Sequence, residues 1–204
     1  MKETINFLLC GVGGQGTILA SDVLVNVGLA AGYQAKQAEV HGMSQRGGSV
    51  TSHVRWGKSI HSPLIGAGEA DVLLAFEKLE ALRNLNSLHP EALALINAYT
   101  IMPLMVISGE QTYPSDEALR KAFALVTSHV EYINGEEIAG SLGNLRVANV
   151  VLLGALSAQL ERGGLSAPEL TMETWLKVIT ERVPPKHIDL NRKAFKAGRE
   201  AIGN

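Results

Sequence analysis

The sequence predicts an α/β fold of three layers, in which helices cover both faces of a mainly parallel sheet and a helical region follows on the C-terminal side. Within residues 4–31, a short apolar strand, a glycine-rich turn and an amphipathic helix follow one another, which is the opening of a βαβ unit. Residues 72–76 are all apolar, as expected of a central parallel strand that is covered on both faces.

The domain organisation and the individual elements follow from hydrophobic spacing. We predict one domain over residues 1–204, with a sheet core in 1–134 and a mostly helical part in 135–204, because no linker or repeat divides the chain. Further strands are predicted at 33–40, 49–56, 92–98, 105–108 and 130–133. Helices are predicted at 17–31, 77–86, 115–125, 147–160, from the capping-box sequence at 166–169 through 179, and at 191–202.

Composition excludes several classes of function. The formal net charge is −2, which gives no support to binding of nucleic acid or of a membrane surface. The most apolar stretch, residues 147–160, is shorter than the roughly 20 residues of a membrane span. The single cysteine, Cys10, excludes an internal disulfide, and one thiol cannot hold an iron–sulfur cluster, which needs about four ligands. Together with histidines that lack zinc-ligand spacing, these features predict a cytoplasmic protein without a metal of its own.

The glycine-rich turn is the first candidate site. Residues 11–16, GVGGQG, satisfy the pattern G-x-G-x-x-G between a predicted strand and a predicted helix. Glycines let the backbone approach a ligand, and the helix N-terminus adds partial positive charge that favours phosphate or carboxylate. The alternative is a tight turn that only permits close packing of helix on strand. The cofactor-binding candidates in this turn are Gly11, Gly13, Gly14, Gln15 and Gly16.

The second candidate site is residues 39–48, EVHGMSQRGG, which follow the second predicted strand. In an open parallel sheet this position lies at the edge where ligands bind, beside the glycine turn. Arg46 is suited to hold a carboxylate or phosphate in a fork. The density of hydrogen-bonding groups favours a functional loop over a solvated one. The candidates in this loop are Glu39, His41, Ser44, Gln45, Arg46, Gly47 and Gly48.

A nicotinamide-binding protein is a competing hypothesis. Glu39 lies a little over 20 residues beyond the glycine motif, where a dinucleotide fold carries its ribose-binding acid. The additional Gly14 with Gln15 is atypical of that fingerprint, and a ribose does not need the crowded loop that follows Glu39. Glu77, after the central strand, has two interpretations as well: a polar group of the site, or an acid that begins a helix.

Four sequence features together resemble the small subunit of 2-oxoacid:ferredoxin oxidoreductases. They are GVGGQG at 11–16, EVHGMSQRGG at 39–48, LGNLRVANVVLLGAL at 142–156 and the tail pattern N-x-x-A-F-x-x-G at 191–198. The resemblance covers almost the whole chain. The loop at 39–48 and AFEKLEALR at 75–83 look most like the beta subunits of the indolepyruvate enzymes, and the subunit is called gamma in the related pyruvate and 2-oxoglutarate enzymes.

The resemblance implies an enzyme subunit that is inactive alone. The family decarboxylates a 2-oxoacid oxidatively on thiamine diphosphate, passes electrons through iron–sulfur clusters to ferredoxin and releases an acyl-coenzyme A. By the resemblance, the thiamine diphosphate, Mg and clusters belong to a large partner subunit. This chain would complete the site and help to hold coenzyme A, with Glu39, His41, Ser44, Gln45 and Arg46 completing the site and the glycines of both stretches, with Gln15, contacting a cofactor. Met43 and the apolar C-terminal region are expected to cover a surface against the partner.

Overall fold

The computed structural model describes residues 4–41, 47–163 and 169–202. The strands are β1 (Thr4–Val12), β2 (Gln34–His41), β3 (Ser49–Gly57), β4 (Ala70–Ala75), β5 (Leu88–Asn97) and β6 (His129–Ile133). The helices are α1 (Thr17–Ala30), α2 (Lys78–Arg83), α3 (Leu104–Ile107), α4 (Asp116–Ala124), α5 (Gly135–Ser141), α6 (Ala148–Arg162), α7 (Met172–Arg182) and α8 (Ile188–Ala201).

All six strands belong to one sheet in the order β2-β3-β1-β4-β5-β6. The pairs β1–β4, β4–β5 and β5–β6 are parallel, whereas β3 runs antiparallel to both β1 and β2. The predicted mainly parallel α/β fold is therefore confirmed, with one strand reversed. Because β3 is reversed, β1 and β2 point the same way and end at the same edge of the sheet.

Helices cover both faces of the sheet. On one face, Phe7 and Leu9 of β1 pack in a core with residues of α1, α5, α6, α7 and α8. On the other face, Leu8 and Cys10 pack with Ala81 of α2 and with a residue of α4. The alternation of side chains along β1 thus feeds two separate cores, which is the expected arrangement of a strand buried on both sides. No helix in the described ranges is long and apolar enough to cross a membrane.

The apolar C-terminal region forms part of this core. Twelve residues of α6 are buried, and α6 crosses α8 at a point where two glycines face the opposite backbone. A Cβ on Gly154 would lie 2.0 Å from the carbonyl oxygen of Phe195, and one on Gly198 would lie 1.9 Å from that of Val151. The expectation that this apolar region covers a partner was wrong for α6, because other elements of the same chain bury this helix. Met43 lies outside the described residues.

Two predicted elements were wrong. Residues 105–108 were expected as a strand, but the structure has the short helix α3 here, which begins after Pro103. An apolar run of this length is too short for its periodicity to distinguish a strand from a helix. The helix expected to begin at the capping box begins at Met172 instead, where Thr171 accepts the Thr174 N–H at 3.2 Å. Of that capping box, residues 166–168 lie outside the described ranges.

Candidate functional site

A cleft of about 500 Å³ opens where the carboxyl ends of β1, β4 and β5 meet. The glycine turn forms one wall, and the segment that leads into α6 forms the opposite wall. Ligands of open α/β sheets bind at this edge. The lining residues are Gly13, Gly14, Gln15, Gly16, Phe76, Asn97, Tyr99, Ile101, Glu136, Leu145, Arg146, Ala148 and Asn149.

The side chain of Gln15 fixes the shape of the glycine turn. Its Oε1 accepts the backbone N–H of Val12 at 2.8 Å, and its Nε2 donates to the carbonyl oxygen of Phe76 at 2.8 Å. The two ends of the amide therefore connect the end of β1 to the residue that follows β4. Gly11, also a predicted site residue, lies buried beneath this side chain at the end of β1 and does not line the cleft.

The N-termini of two long helices face the cleft. Helix α1 begins after Gly16, which has a φ of 80° and no side chain to cap the helix. Helix α6 begins after Val147, whose apolar side chain makes no capping hydrogen bond. The N–H of Val150 in the first turn of α6 already donates to Asn149 Oδ1 at 2.9 Å, so α6 contributes mainly its dipole. Both termini therefore present partial positive charge to a guest.

Gly16 and Asn149 hold these two helix ends together. The Nδ2 of Asn149 donates to the Gly16 carbonyl oxygen at 3.4 Å, and a Cβ on Gly16 would lie 2.4 Å from that nitrogen. Glycine is required at this position for two reasons, because the positive φ disfavours a side chain and Asn149 occupies the space. The contact joins residues 133 positions apart and makes the cleft depend on both halves of the chain.

The floor of the cleft carries a buried amide and a partly buried acid. Asn97 ends β5, and its Nδ2 donates to Glu136 Oε2 at 2.7 Å and to the Phe76 carbonyl at 3.1 Å. Its Oδ1 accepts the N–H of Gly135 at 3.0 Å. Burial raises the pKa of the Glu136 carboxyl above its usual value, although the hydrogen bond from Asn97 lowers it. Glu136 is therefore more easily neutralised than a surface acid, which reduces its repulsion of an anion.

Arg146 is the one cationic side chain among the described residues that line the cleft. It precedes α6, is exposed, and makes no ion pair with any other residue in the described part of the chain. Its backbone N–H is fixed by Asn144 Oδ1 at 3.0 Å. A guanidinium beside two helix N-termini suits a phosphate or a carboxylate.

The two predicted stretches meet at this edge. Gly13 N–H donates to the Gly48 carbonyl at 2.9 Å, and Gly47 N–H donates to the Gly13 carbonyl at 3.4 Å. His41 is described only as the last residue of β2. The predicted residues Ser44, Gln45 and Arg46 lie outside the described ranges, so their roles stay predictions.

The position of Glu39 argues against a dinucleotide site. Glu39 pairs with Ser52 of β3 on the edge strand β2, and β3 separates it from β1. At about 4.8 Å per strand, it lies roughly 10 Å from the strand that leads into the glycine turn. In a dinucleotide fold the acid ends the strand directly beside the first one.

A second cavity of about 170 Å³ lies beside the end of this loop. Gly47 and Ser49 line it together with the buried acids Glu77 and Glu80. Glu80 accepts from Ser49 Oγ at 2.5 Å and from Arg83 Nη1 at 2.5 Å.

Glu77 begins helix α2, as one of its two interpretations predicted. Its Oε2 accepts the Glu80 N–H at 2.9 Å, and its Oε1 accepts the Ile101 N–H at 3.1 Å and the hydroxyl of Tyr113. The pKa of the Tyr113 hydroxyl is raised, mainly by burial and also by its hydrogen bond to the charged Glu77. Three donors are thus gathered on one buried carboxylate, which fixes the loop after β5.

Cys10 is buried, as predicted. Burial raises the pKa of its thiol well above the usual range, and the charges of Glu80 and Glu77 raise it further. A thiol of this kind is a poor nucleophile and a poor metal ligand at neutral pH. Within residues 4–41, 47–163 and 169–202, no group of three His, Cys, Asp or Glu side chains could hold a metal ion.

Comparison with known proteins identifies the family. Residues 6–201 match the family described as pyruvate ferredoxin/flavodoxin oxidoreductase. The chain belongs to this family. It is 41% identical to the indolepyruvate oxidoreductase subunit IorB of Thermococcus kodakarensis over 208 aligned positions, which cover 100% of both chains. The resemblance to the small subunits of 2-oxoacid:ferredoxin oxidoreductases is therefore confirmed.

Solved structures share the fold. The gamma subunit of a keto/oxoacid ferredoxin oxidoreductase from Geobacter sulfurreducens is 25% identical, with a TM-score of 0.68 over 97% of this chain and 98% of that one. A 2-oxoglutarate:ferredoxin oxidoreductase from Magnetococcus marinus is 19% identical, with a TM-score of 0.73 over 100% of this chain but only 32% of that one. The fold thus occurs both as a separate chain and as about a third of a longer chain.

Sequence reasoning missed the far wall of the cleft. Arg146 and Asn149 lie within the stretch that carried the family resemblance, but no role was predicted for them. Asn149, a polar residue at the start of an apolar helix, was the available signal. Asn97 and Glu136 gave a weaker one, since an amide at the end of a buried strand and an acid in the first turn of a helix are both common.

Proposed function

We propose that this chain is the small subunit of an indolepyruvate:ferredoxin oxidoreductase and that its cleft binds an anionic group at a site completed by a larger, thiamine-dependent subunit. The observation that carries the anion site is the convergence of the α1 and α6 N-termini with Arg146 on one cleft. The indolepyruvate assignment is supported by the relative from Thermococcus kodakarensis, which is 41% identical and is named indolepyruvate oxidoreductase subunit IorB.

The residues of the cleft fit a phosphate or carboxylate and not an iron–sulfur cluster. The chain has one cysteine, whereas a cluster requires about four ligands. Anionic groups occur on thiamine diphosphate, on coenzyme A and on the 2-oxoacid itself. Thiamine diphosphate and the clusters supply the decarboxylation and electron transfer when they are bound to the partner. The described residues of this chain supply the polar wall against which an anionic group rests.

The test is reconstitution with the large subunit encoded in the same organism. Reduction of a viologen should require both chains, coenzyme A and a 2-oxoacid, and indolepyruvate should be used in preference to pyruvate and 2-oxoglutarate. If pyruvate or 2-oxoglutarate is preferred, the substrate assignment is wrong and the chain serves a sister enzyme. If the large subunit turns over equally well without this chain, the proposed function itself is wrong.

A further inference from the structure

Exposed apolar side chains are concentrated on one segment beside the cleft. Of the twelve large apolar side chains that are exposed in the described part of the chain, five lie in residues 99–107, which we call the apolar segment. Leu104 is 79% exposed and Ile107 is 69% exposed. Concentration of this kind marks an interaction surface, whereas single exposed apolar residues do not. The five residues are Tyr99, Met102, Leu104, Met105 and Ile107.

Hydrogen bonds hold the apolar segment in place. The Lys78 N–H donates to the Tyr99 carbonyl at 3.2 Å, and the Ile101 N–H donates to the buried carboxylate of Glu77 at 3.1 Å. At the other end, the Gln111 N–H donates to the Met105 carbonyl at 2.9 Å. A surface fixed before association loses less conformational entropy when a partner covers it.

The apolar segment is continuous with both cavities. Tyr99 and Ile101 line the cleft, and Ile101, Met102 and Leu104 line the smaller cavity. On the far side of the cleft, Leu145 is also exposed. Exposed apolar groups therefore border the cleft on two sides, so a protein that covers them also closes the cleft.

Charge at the smaller cavity indicates the chemistry of the partner. Among the described residues that line it, the two carboxylates of Glu77 and Glu80 outnumber the one guanidinium of Arg83, so the formal charge of this described lining is −1. A partner face that is apolar at its centre and carries a basic side chain at this cavity would complement both features.

We propose that the apolar segment docks on the larger, thiamine-dependent subunit and thereby places the glycine cleft at the subunit interface. The inference rests on the proposed function, in which the cleft serves a site completed by that subunit. The chain from Magnetococcus marinus supports this choice of occupant, since the same fold there forms 32% of one longer chain. The fold there adjoins further protein of the same chain, and in this chain the apolar segment is the described surface with the most exposed apolar side chains to meet such a partner.

The test compares two exposed leucines. Leu104→Asp introduces a charge into the apolar segment, and Leu125→Asp introduces one at the end of α4, where the leucine is 89% exposed. Each full-length variant is mixed with the tagged large subunit, and the complex is measured by size-exclusion chromatography with light scattering. Leu104→Asp should weaken assembly by about 30-fold or more, the size of an interface hot spot, whereas Leu125→Asp should assemble like the unmodified chain. Both should melt like the unmodified chain when isolated.

Three results would overturn the inference, and they are distinguishable. Equal assembly by Leu104→Asp and the unmodified chain would show that the partner docks elsewhere, with the proposed function intact. If the isolated chain is a dimer that Leu104→Asp converts to a monomer, the occupant is a second copy. If the unmodified chain does not bind the large subunit at all, the proposed function fails together with the inference.

Discussion

The crossing of α6 and α8 and the cleft at the end of the sheet both depend on glycine, but for different physical reasons. At the crossing, Gly154 and Gly198 let two helix backbones touch. At the cleft, Gly16 lets the chain turn into α1 without a side chain in the space of Asn149. Glycines in the first region serve stability, and those in the second serve an open site. A glycine in a sequence motif can therefore serve either close packing or an open site, and the motif alone does not show which.

The largest effect is expected at the helix crossing. Gly198→Ala would place a Cβ 1.9 Å from a backbone oxygen that cannot move without separating the helices. Overpacking of this kind costs about 3 kcal/mol or more, which corresponds to roughly 6–12 °C in the melting temperature of a domain of this size. Differential scanning calorimetry of the isolated chain measures it.

The matched control for the crossing is Gly140→Ala in helix α5. A Cβ there would meet only the Leu145 side chain, at 3.5 Å, which is an ordinary contact. The change should be neutral or stabilising by about 0.5–1 kcal/mol, because alanine restricts the unfolded chain. Equal melting temperatures for Gly198→Ala and Gly140→Ala would contradict the close-packing role of Gly198.

A smaller effect on stability, but a direct effect on the site, is expected at the glycine turn. Gly16→Ala forces a side chain into a positive φ of 80° and against Asn149, at a cost of about 1–3 kcal/mol. The change also separates the ends of α1 and α6, so the activity of the assembled enzyme should fall together with stability. Chemical denaturation and steady-state kinetics measure the two quantities.

Gly32→Ala separates the cost of backbone strain from the cost of the contact. Gly32 has a φ of 83°, and a Cβ there meets nothing within 4 Å. The variant Gly32→Ala should lose stability through backbone strain alone. Its activity should be unchanged, since Gly32 follows the C-terminal end of α1, away from the cleft. If Gly16→Ala and Gly32→Ala lose the same stability and neither loses activity, Gly16 has no role in the cleft.

The strands and the glycine turn at the edge of the sheet were predictable from the sequence, whereas the opposite wall of the cleft was not. The strand, glycine turn and helix at the N-terminus were predictable because local periodicity and glycine chemistry determine them. The reversed strand β3 was not, since alternation along 49–56 is the same in either direction. The wall that carries Arg146 and Asn149 meets the glycine turn through the contact of Asn149 with Gly16, 133 positions away, which local pattern does not encode.

The smallest effect concerns pH. Because burial raises the pKa of Glu136 above its usual 4.5, the folded protein holds this proton to higher pH than the unfolded chain does. Its contribution to stability is therefore fully present below about pH 4.5 and is lost as pH rises through the raised value. Glu136→Gln, which can still accept from Asn97, should remove this loss, as measured by urea unfolding at several pH values.

The same variant tests the charge of the cleft. Anion affinity should weaken in the unmodified enzyme as Glu136 ionises, whereas Glu136→Gln should bind anions equally across that range. An unchanged pH dependence of both stability and anion affinity in Glu136→Gln would show that this carboxyl is not the group that titrates.

The most direct test of the central claim, that the cleft binds an anionic group of the reaction, is the kinetics of Arg146→Gln in the assembled enzyme. A hydrogen bond to a charged group contributes about 1.5–3 kcal/mol, so the KM for thiamine diphosphate, coenzyme A or the 2-oxoacid should rise roughly 10- to 150-fold. The reactant whose KM rises is the one that the cleft binds. The control is Arg192→Gln, an exposed arginine on α8 away from the cleft, which should change none of these values. If Arg146→Gln is kinetically indistinguishable from Arg192→Gln while both assemble normally, the cleft is not an anion site.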